Sequence, residues 1–282
     1  MRPRITEFLI SQLGFSVLLP DYVTMAAIAF LLGTYLTVKA AEKEKISPNL
    51  ALNAILFAII FGIVGSRLYF VLLKFNHYLA HPEEIIMLWQ GGLASYGGFV
   101  GGFLAAALYL KSKAVPVLKF LDGSAIALAC GVILIKIGCF MNGCDYGQLS
   151  TLPWAVRYPR DSGVFTSQLF QGQIDVSSQL SLPVHPTQLY DALSGVILLL
   201  VVLWLRDRKK FDGQLFLTVV VLYSFLRFTT EFSRGDHAHN ILGVFSLPQI
   251  FALTTGLFAL LFFVIRVSNY PRLPYQLSQR AQ

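Results

Sequence analysis

Tyr223, Arg227, Glu231 and Arg234 recur at i, i+4, i+8 and i+11, in a stretch that is otherwise apolar. On a helix that spacing puts all four on one stripe. A polar stripe on an apolar helix must face a bundle interior or a wet cavity. Lys136 stands in a second apolar stretch, Lys136-Ile137-Gly138-Cys139-Phe140-Met141-Asn142-Gly143, and Arg67 in a third. Asp191 opens a fourth, just after His185-Pro186-Thr187-Gln188-Leu189-Tyr190. An ionisable side chain inside a membrane span costs roughly 2.5–3.5 kcal/mol and marks a working site by default. Glu231 can pair with Arg227 or Arg234, and both Glu231 and Asp191 also read as the acidic halves of structural ion pairs that lock helices together. Arg227 and Lys136 are then expected to leave surplus positive charge. Such a pocket takes an anion.

Two further groups of residues could touch that anion or its partner. The run from Gln90 to Gly102 holds six Gly in 13 residues, with Tyr96 in the middle. Close helix packing explains the glycines equally well. A phenol without bulky neighbours can also approach a ligand directly. Cys139 and Cys144 lie five apart. They read as a disulfide in an oxidising compartment, as a thiol-handling pair, or as small buried residues. Cys130 reads as packing. No metal site is expected, because no Cys-x-x-Cys is present and His237 and His239 stand on a separate short stretch.

The elements that must position these groups follow from composition. Of 282 residues 55% are hydrophobic and 13% charged, with mean hydropathy +0.64. A soluble domain carries about 25% charged residues. With 23 Phe, 12 Tyr and three Cys the chain is neither disordered nor a disulfide scaffold. It is an all-α polytopic membrane protein. About seven stretches reach the ~20 apolar residues that a bilayer needs: 22–40, 49–73, 90–110, 117–141, 187–205, 213–232 and 246–266. None shows the period-two alternation of barrel strands.

Charge sets the expected orientation. Thirteen Lys and Arg flank one set of span ends, including Lys39, Lys43, Lys111, Lys113, Arg206 and Arg266; six flank the other. By the positive-inside rule the N-terminus and residues 142–186 face outward, and the C-terminus faces the cytoplasm. The net charge of +7 thus reflects topology, and nucleic acid is not an expected partner. Residues 1–21 read as an N-terminal amphipathic arm on the membrane interface and 22–141 as four spans. Residues 142–186 read as a small β-containing periplasmic head, 187–266 as three more spans and 267–282 as a cytoplasmic tail. No internal repeat supports a transporter.

Several stretches together resemble the bacterial prolipoprotein diacylglyceryl transferases. They are Gly65-Ser66-Arg67-Leu68-Tyr69, Gly91-Gly92-Leu93-Ala94-Ser95-Tyr96-Gly97-Gly98, Pro153-Trp154-Ala155-Val156-Arg157-Tyr158-Pro159, His185 to Tyr190, and Tyr223 to Asp236. The resemblance implies a multi-pass enzyme of the bacterial inner membrane that needs no cofactor. It would move the diacylglyceryl group of phosphatidylglycerol onto the lipobox cysteine of preprolipoproteins, the first step of lipoprotein maturation. Its partners would be phosphatidylglycerol, membrane lipid and lipobox-bearing signal peptides. Arg227 would clamp phosphate, since guanidinium binds it bidentately. Tyr96 matches a family position proposed to activate the thiol. Lys136 would be catalytic with Arg227 and Tyr96; Tyr22 and Tyr223 match site tyrosines, and Lys136, Cys139, Glu231, Arg234, His185 and Gln188 match substrate-binding positions. The family signature Gly-Arg-x-Gly-Asn-Phe-x-Asn-Gly-Glu is altered here: Lys136 replaces the Arg, Cys139 the Asn and Cys144 the Glu. The alternative is a divergent relative that binds anionic lipid with altered substrate or without transfer.

Overall fold

A computed structural model describes residues 21–236 and 245–269. The expected interfacial arm, most of the tail and both His237 and His239 lie outside the described residues. The chain is helical: α1 Asp21–Lys43, α2 Pro48–Leu73, α3 Phe75–Ala80, α4 Ser95–Ser112, α5 Val117–Asn142, α6 Gly163–Phe170, α7 Thr187–Arg206, α8 Gln214–Glu231 and α9 Leu247–Ser268. Helices α1, α2, α5, α7 and α9 are long and apolar enough to cross a membrane. Their outward faces carry exposed Leu31, Ile60, Leu72, Leu200, Trp204 and Phe258, as lipid-facing surfaces do. The 18-residue α4 and α8 fall outside that set. Helix starts follow local chemistry. Pro48 opens α2 at a position where its missing N–H costs nothing, and Ser246 and Gln249 close a capping box on α9.

The chain divides into two compact units, Leu32–Ala127 and the flanking Met1–Leu31 with Leu128–Gln282. In the first, α2 and α4 lie in close contact because glycine faces glycine. A Cβ on Gly101 would meet the Phe61 carbonyl oxygen at 2.6 Å, and one on Gly102 the Ala58 oxygen at 2.7 Å. Gly65 and Gly97 approach each other's carbonyls closer still. Helix packing accounts for these glycines. The expected span 90–110 starts later, at Ser95, since Gly91 and Gly92 adopt φ of 83° and 80° and break the helix. Two short 3₁₀ turns, Pro82–Ile86 and Leu88–Gln90, precede them.

Arg67 secures that connection. It is 6% exposed and donates to the carbonyl oxygens of Glu84, Ile85, Met87, Gly91 and Gly92. The Tyr78 ring lies 5.4 Å from its guanidinium carbon. Arg67 is a clasp for the connection rather than an open anion site.

In the other unit α8 packs against α7 and α9. Gly195 lets α7 approach Ile133 of α5, and Gly256 lets α9 approach Ser224 of α8. Residues 143–186 fold around Tyr146, Tyr158, Val164 and Val184. The alternating stretch Trp154–Tyr158 does not build a strand. It contributes one isolated antiparallel bridge, Val156 with Val184, and Val184 also bridges Leu149. Prolines 153, 159 and 183 lack the N–H that a longer ladder requires. Helix α6 is capped by Ser162, whose hydroxyl accepts from the Phe165 N–H at 3.2 Å.

Candidate active site

The site starts where α5 ends. Gly143 and Cys144 both donate their N–H to the Cys139 carbonyl, at 2.9 and 3.2 Å, and Gly143 takes φ of 70°. This left-handed cap turns the chain back on itself. Asp145 follows, also left-handed at φ 58°. Its Oδ2 thereby lies 2.5 Å from Nζ of Lys136, nine residues earlier on α5. The start of α7 holds the turn in place. Thr187 Oγ1 donates to the Asp145 carbonyl at 2.7 Å and Gln188 Nε2 to the Cys144 carbonyl at 2.6 Å.

Further side chains extend this contact into a network. Lys136 Nζ also lies 2.9 Å from Oδ2 of Asp191 on α7, and Thr230 Oγ1 of α8 donates to Oδ1 of the same carboxylate at 2.8 Å. Arg234 reaches Asp145 Oδ1 at 3.2 Å and grips Asp236 through Nε and Nη2, each at 2.7 Å. A backbone bridge between Gly147 and Arg234 ties the two segments together. Arg227 Nη1 lies 2.6 Å from Glu231 Oε2, and Ser246 Oγ donates to Glu231 Oε1 at 2.8 Å.

Three cations therefore meet four carboxylates: Lys136, Arg227 and Arg234 against Asp145, Asp191, Glu231 and Asp236. The surplus positive charge expected from sequence is not there. Buried charges persist only when paired, and the loop acids Asp145 and Asp236 supply the missing partners. Donors remain for a ligand nonetheless. Arg234 is 2% exposed, and its Nη1 has no hydrogen-bond partner among the described residues. Arg227 Nη1 is close to Glu231 yet outside hydrogen-bond geometry.

Burial by itself would push the Asp145 carboxyl up. Lys136 and then Arg234 outweigh it and hold the group well below the usual carboxylate range. Burial opposes the charge on Arg234, but Asp145 and Asp236 raise its affinity for the proton. Asp145 and Arg234 each hold the other in its charged form.

Residues 10–265 match the family described as prolipoprotein diacylglyceryl transferase. The chain belongs to that family. Similar proteins, each named phosphatidylglycerol–prolipoprotein diacylglyceryl transferase, come from several bacteria. The one from Finegoldia magna is 33% identical over 82% of this chain and 85% of its own length. That from Clostridioides difficile is 30% identical over 82% and 84%. That from Nostoc sp. is 30% identical over 89% of this chain and 87% of its own.

The positions matched to the family distribute unevenly. Lys136, Arg227, Glu231 and Arg234 join the network directly. Tyr223 lies in electrostatic reach of Lys136, Asp191 and Arg227, and Tyr22 of Cys139, Cys144, Asp145 and Lys136. Gly138 permits the approach of α1: a Cβ there would meet Met25 Cβ at 2.9 Å. Gln188 is fully buried and spends its amide N–H on the Cys144 carbonyl. His185 Nδ1 faces the Tyr190 hydroxyl at 3.2 Å, which also accepts from Trp154 Nε1 at 2.8 Å. These two side chains brace residues 143–190. Tyr96, on the first turn of α4, and Arg67 belong to the Leu32–Ala127 unit.

Cys139 and Cys144 are free thiols in this structure. Their sulfurs and an Asp145 oxygen lie within 4.8 Å of one another. Asp145 has both oxygens on Lys136 and Arg234, which leaves this trio two soft donors and no open third one. Sequence reasoning missed Asp145 itself. Its signal was an acid one residue past the signature Glu that Cys144 replaces.

Proposed function

We propose that this chain transfers the diacylglyceryl group of phosphatidylglycerol to the lipobox cysteine of a preprolipoprotein. The observation that carries the reading is the Lys136–Asp145–Arg234–Asp236 network around the buried Arg234, with Arg227 and Glu231 beside it, in a member of this family. An incoming phosphate would take the donors that the carboxylates leave, first among them Arg234 Nη1 and the remaining N–H groups of Arg227. The carboxylates keep each cation aimed in a low-dielectric setting before the lipid arrives.

The chemistry then follows from charge. The cysteine sulfur attacks the glycerol carbon that carries the phosphate. A C–S bond forms, the C–O bond breaks, and glycerol 1-phosphate leaves with the electron pair on oxygen. Lys136, Arg227 and Arg234 offset the charge that develops on that oxygen. The thiol proton leaves to a base; the assignment of Tyr96 to that task rests on the family resemblance. Tyr22, Tyr223 and Cys139 would line the lipid, and Gln188 and His185 would support the wall behind it.

The membrane setting belongs to the same proposal. Helices α4 and α8 would cross along with the five longer ones, giving seven spans in the bacterial cytoplasmic membrane. The N-terminus would face out and the C-terminus the cytoplasm, as the Lys and Arg bias favours. Purified chain incubated with phosphatidylglycerol and a lipobox peptide tests the reaction. The expected products are a peptide heavier by one diacylglyceryl group and free glycerol phosphate. Unmodified peptide beside intact lipid would contradict it.

A further inference from the structure

Asp145 stands one residue beyond Cys144, the position at which the family signature carries Glu. Its left-handed backbone, φ 58°, is costly for any residue but glycine, and Asp bears it better than most. Two hydrogen bonds from α7, by Thr187 and Gln188, hold the turn in that form. The outcome is one carboxylate shared between two cations, with Oδ2 on Lys136 and Oδ1 on Arg234. Lys136 comes from α5 and Arg234 from beyond α8, so the carboxylate fixes the spacing between two separate segments.

We propose that Asp145 is a positioning residue that supplies, one place along, the carboxylate missing at Cys144, holding Lys136 and Arg234 as a pair set for one phosphate group. This rests on the transferase reading above. The left-handed turn moves the acid one place along the chain yet brings its oxygens back over α5. Lysine, lacking the planar fork of arginine, has greater need of such a guide. Asp191 holds Lys136 from the α7 side, so Asp145 is what ties it to Arg234.

The test is acid relocation in the full-length chain, purified in detergent and assayed with phosphatidylglycerol and a lipobox peptide. Asp145→Asn should lower kcat/KM on the order of 100-fold, because it takes a carboxylate from the buried Arg234 and from Lys136. Adding Cys144→Glu to that variant should restore most of the loss, whereas adding Cys144→Gln should not. A merely structural contact predicts no difference between Glu and Gln. Asp175→Asn, on the exposed surface, should match the unaltered protein. Activity of Asp145→Asn within about threefold of the parent would overturn the proposal, because stripping a partner from the buried Arg234 charge costs far more. So would failure of Cys144→Glu to rescue it. If Asp145→Asn does not accumulate, Cys144→Glu/Asp145→Leu carries the test: an active double variant supports the proposal and an inactive one overturns it. An unaltered chain that cannot modify the peptide at all fails the transferase reading instead, a separable result.

Discussion

Arg227 Nη1 lies 2.6 Å from Oε2 of Glu231, one turn further along α8, and Glu231 is fully buried. Neither charge can be removed alone without stranding the other. Loss of one partner from a buried pair costs about 3–5 kcal/mol. Arg227→Ala should therefore abolish transfer and also lower the unfolding temperature in detergent. The double variant Arg227→Ala/Glu231→Gln should regain thermal stability and remain inactive. Activity in the double variant would remove Arg227 from the mechanism.

Lys136 sits between Asp145 and Asp191, at 2.5 and 2.9 Å, where the signature has Arg. Lys136→Arg keeps the charge and adds a planar fork. Transfer should be preserved or raised, and Lys136→Met should lose it. Complete inactivation by Arg would mean that this site is built around a compact ammonium.

The depressed Asp145 carboxyl carries a sign. Stability from a carboxylate whose folded pKa is lowered is present above its unfolded value and disappears as pH falls through the folded one. Burial opposes that shift, but Lys136 and Arg234 win, so the Asp145 contribution should be constant between pH 7 and 5. Thermal unfolding of the parent and Asp145→Asn at both values checks this. A gap that closes by pH 5 would contradict the pairing.

Cys144 is the reactive thiol of its pair. A hydrogen bond from Cys139 draws its pKa down to about 7, against the opposing effect of burial. Alkylation by a small maleimide should rise with a midpoint near pH 7, and Cys139→Ala should shift that midpoint upward. An unshifted profile in Cys139→Ala would contradict the assigned cause.

The spans were readable because each is a long apolar stretch, and the Tyr223–Arg234 stripe because helical spacing is regular. The start of α4 was not: Gln90 to Ala94 are apolar enough to belong to it, and the positive φ of Gly91 and Gly92 is a backbone property. The residues around Trp154 alternate like a strand, yet the prolines beside them limit pairing to single bridges. Charge balance was misread for a related reason. Asp236 lies two residues beyond Arg234, just past the stripe, and Asp145 stands in a loop that only a tertiary turn brings to Lys136 and Arg234. A left-handed residue nine places from its partner leaves no periodic trace in sequence.

Transfer of a diacylglyceryl group to a lipobox cysteine can be read directly in cells. The direct measurement expresses this chain in bacteria depleted of their own transferase and weighs a lipoprotein precursor by mass spectrometry. The expected result is a thioether-linked gain of one diacylglyceryl group, absent when Arg227→Ala is expressed instead. Stable membrane expression of the unaltered chain with only unmodified precursor would contradict it.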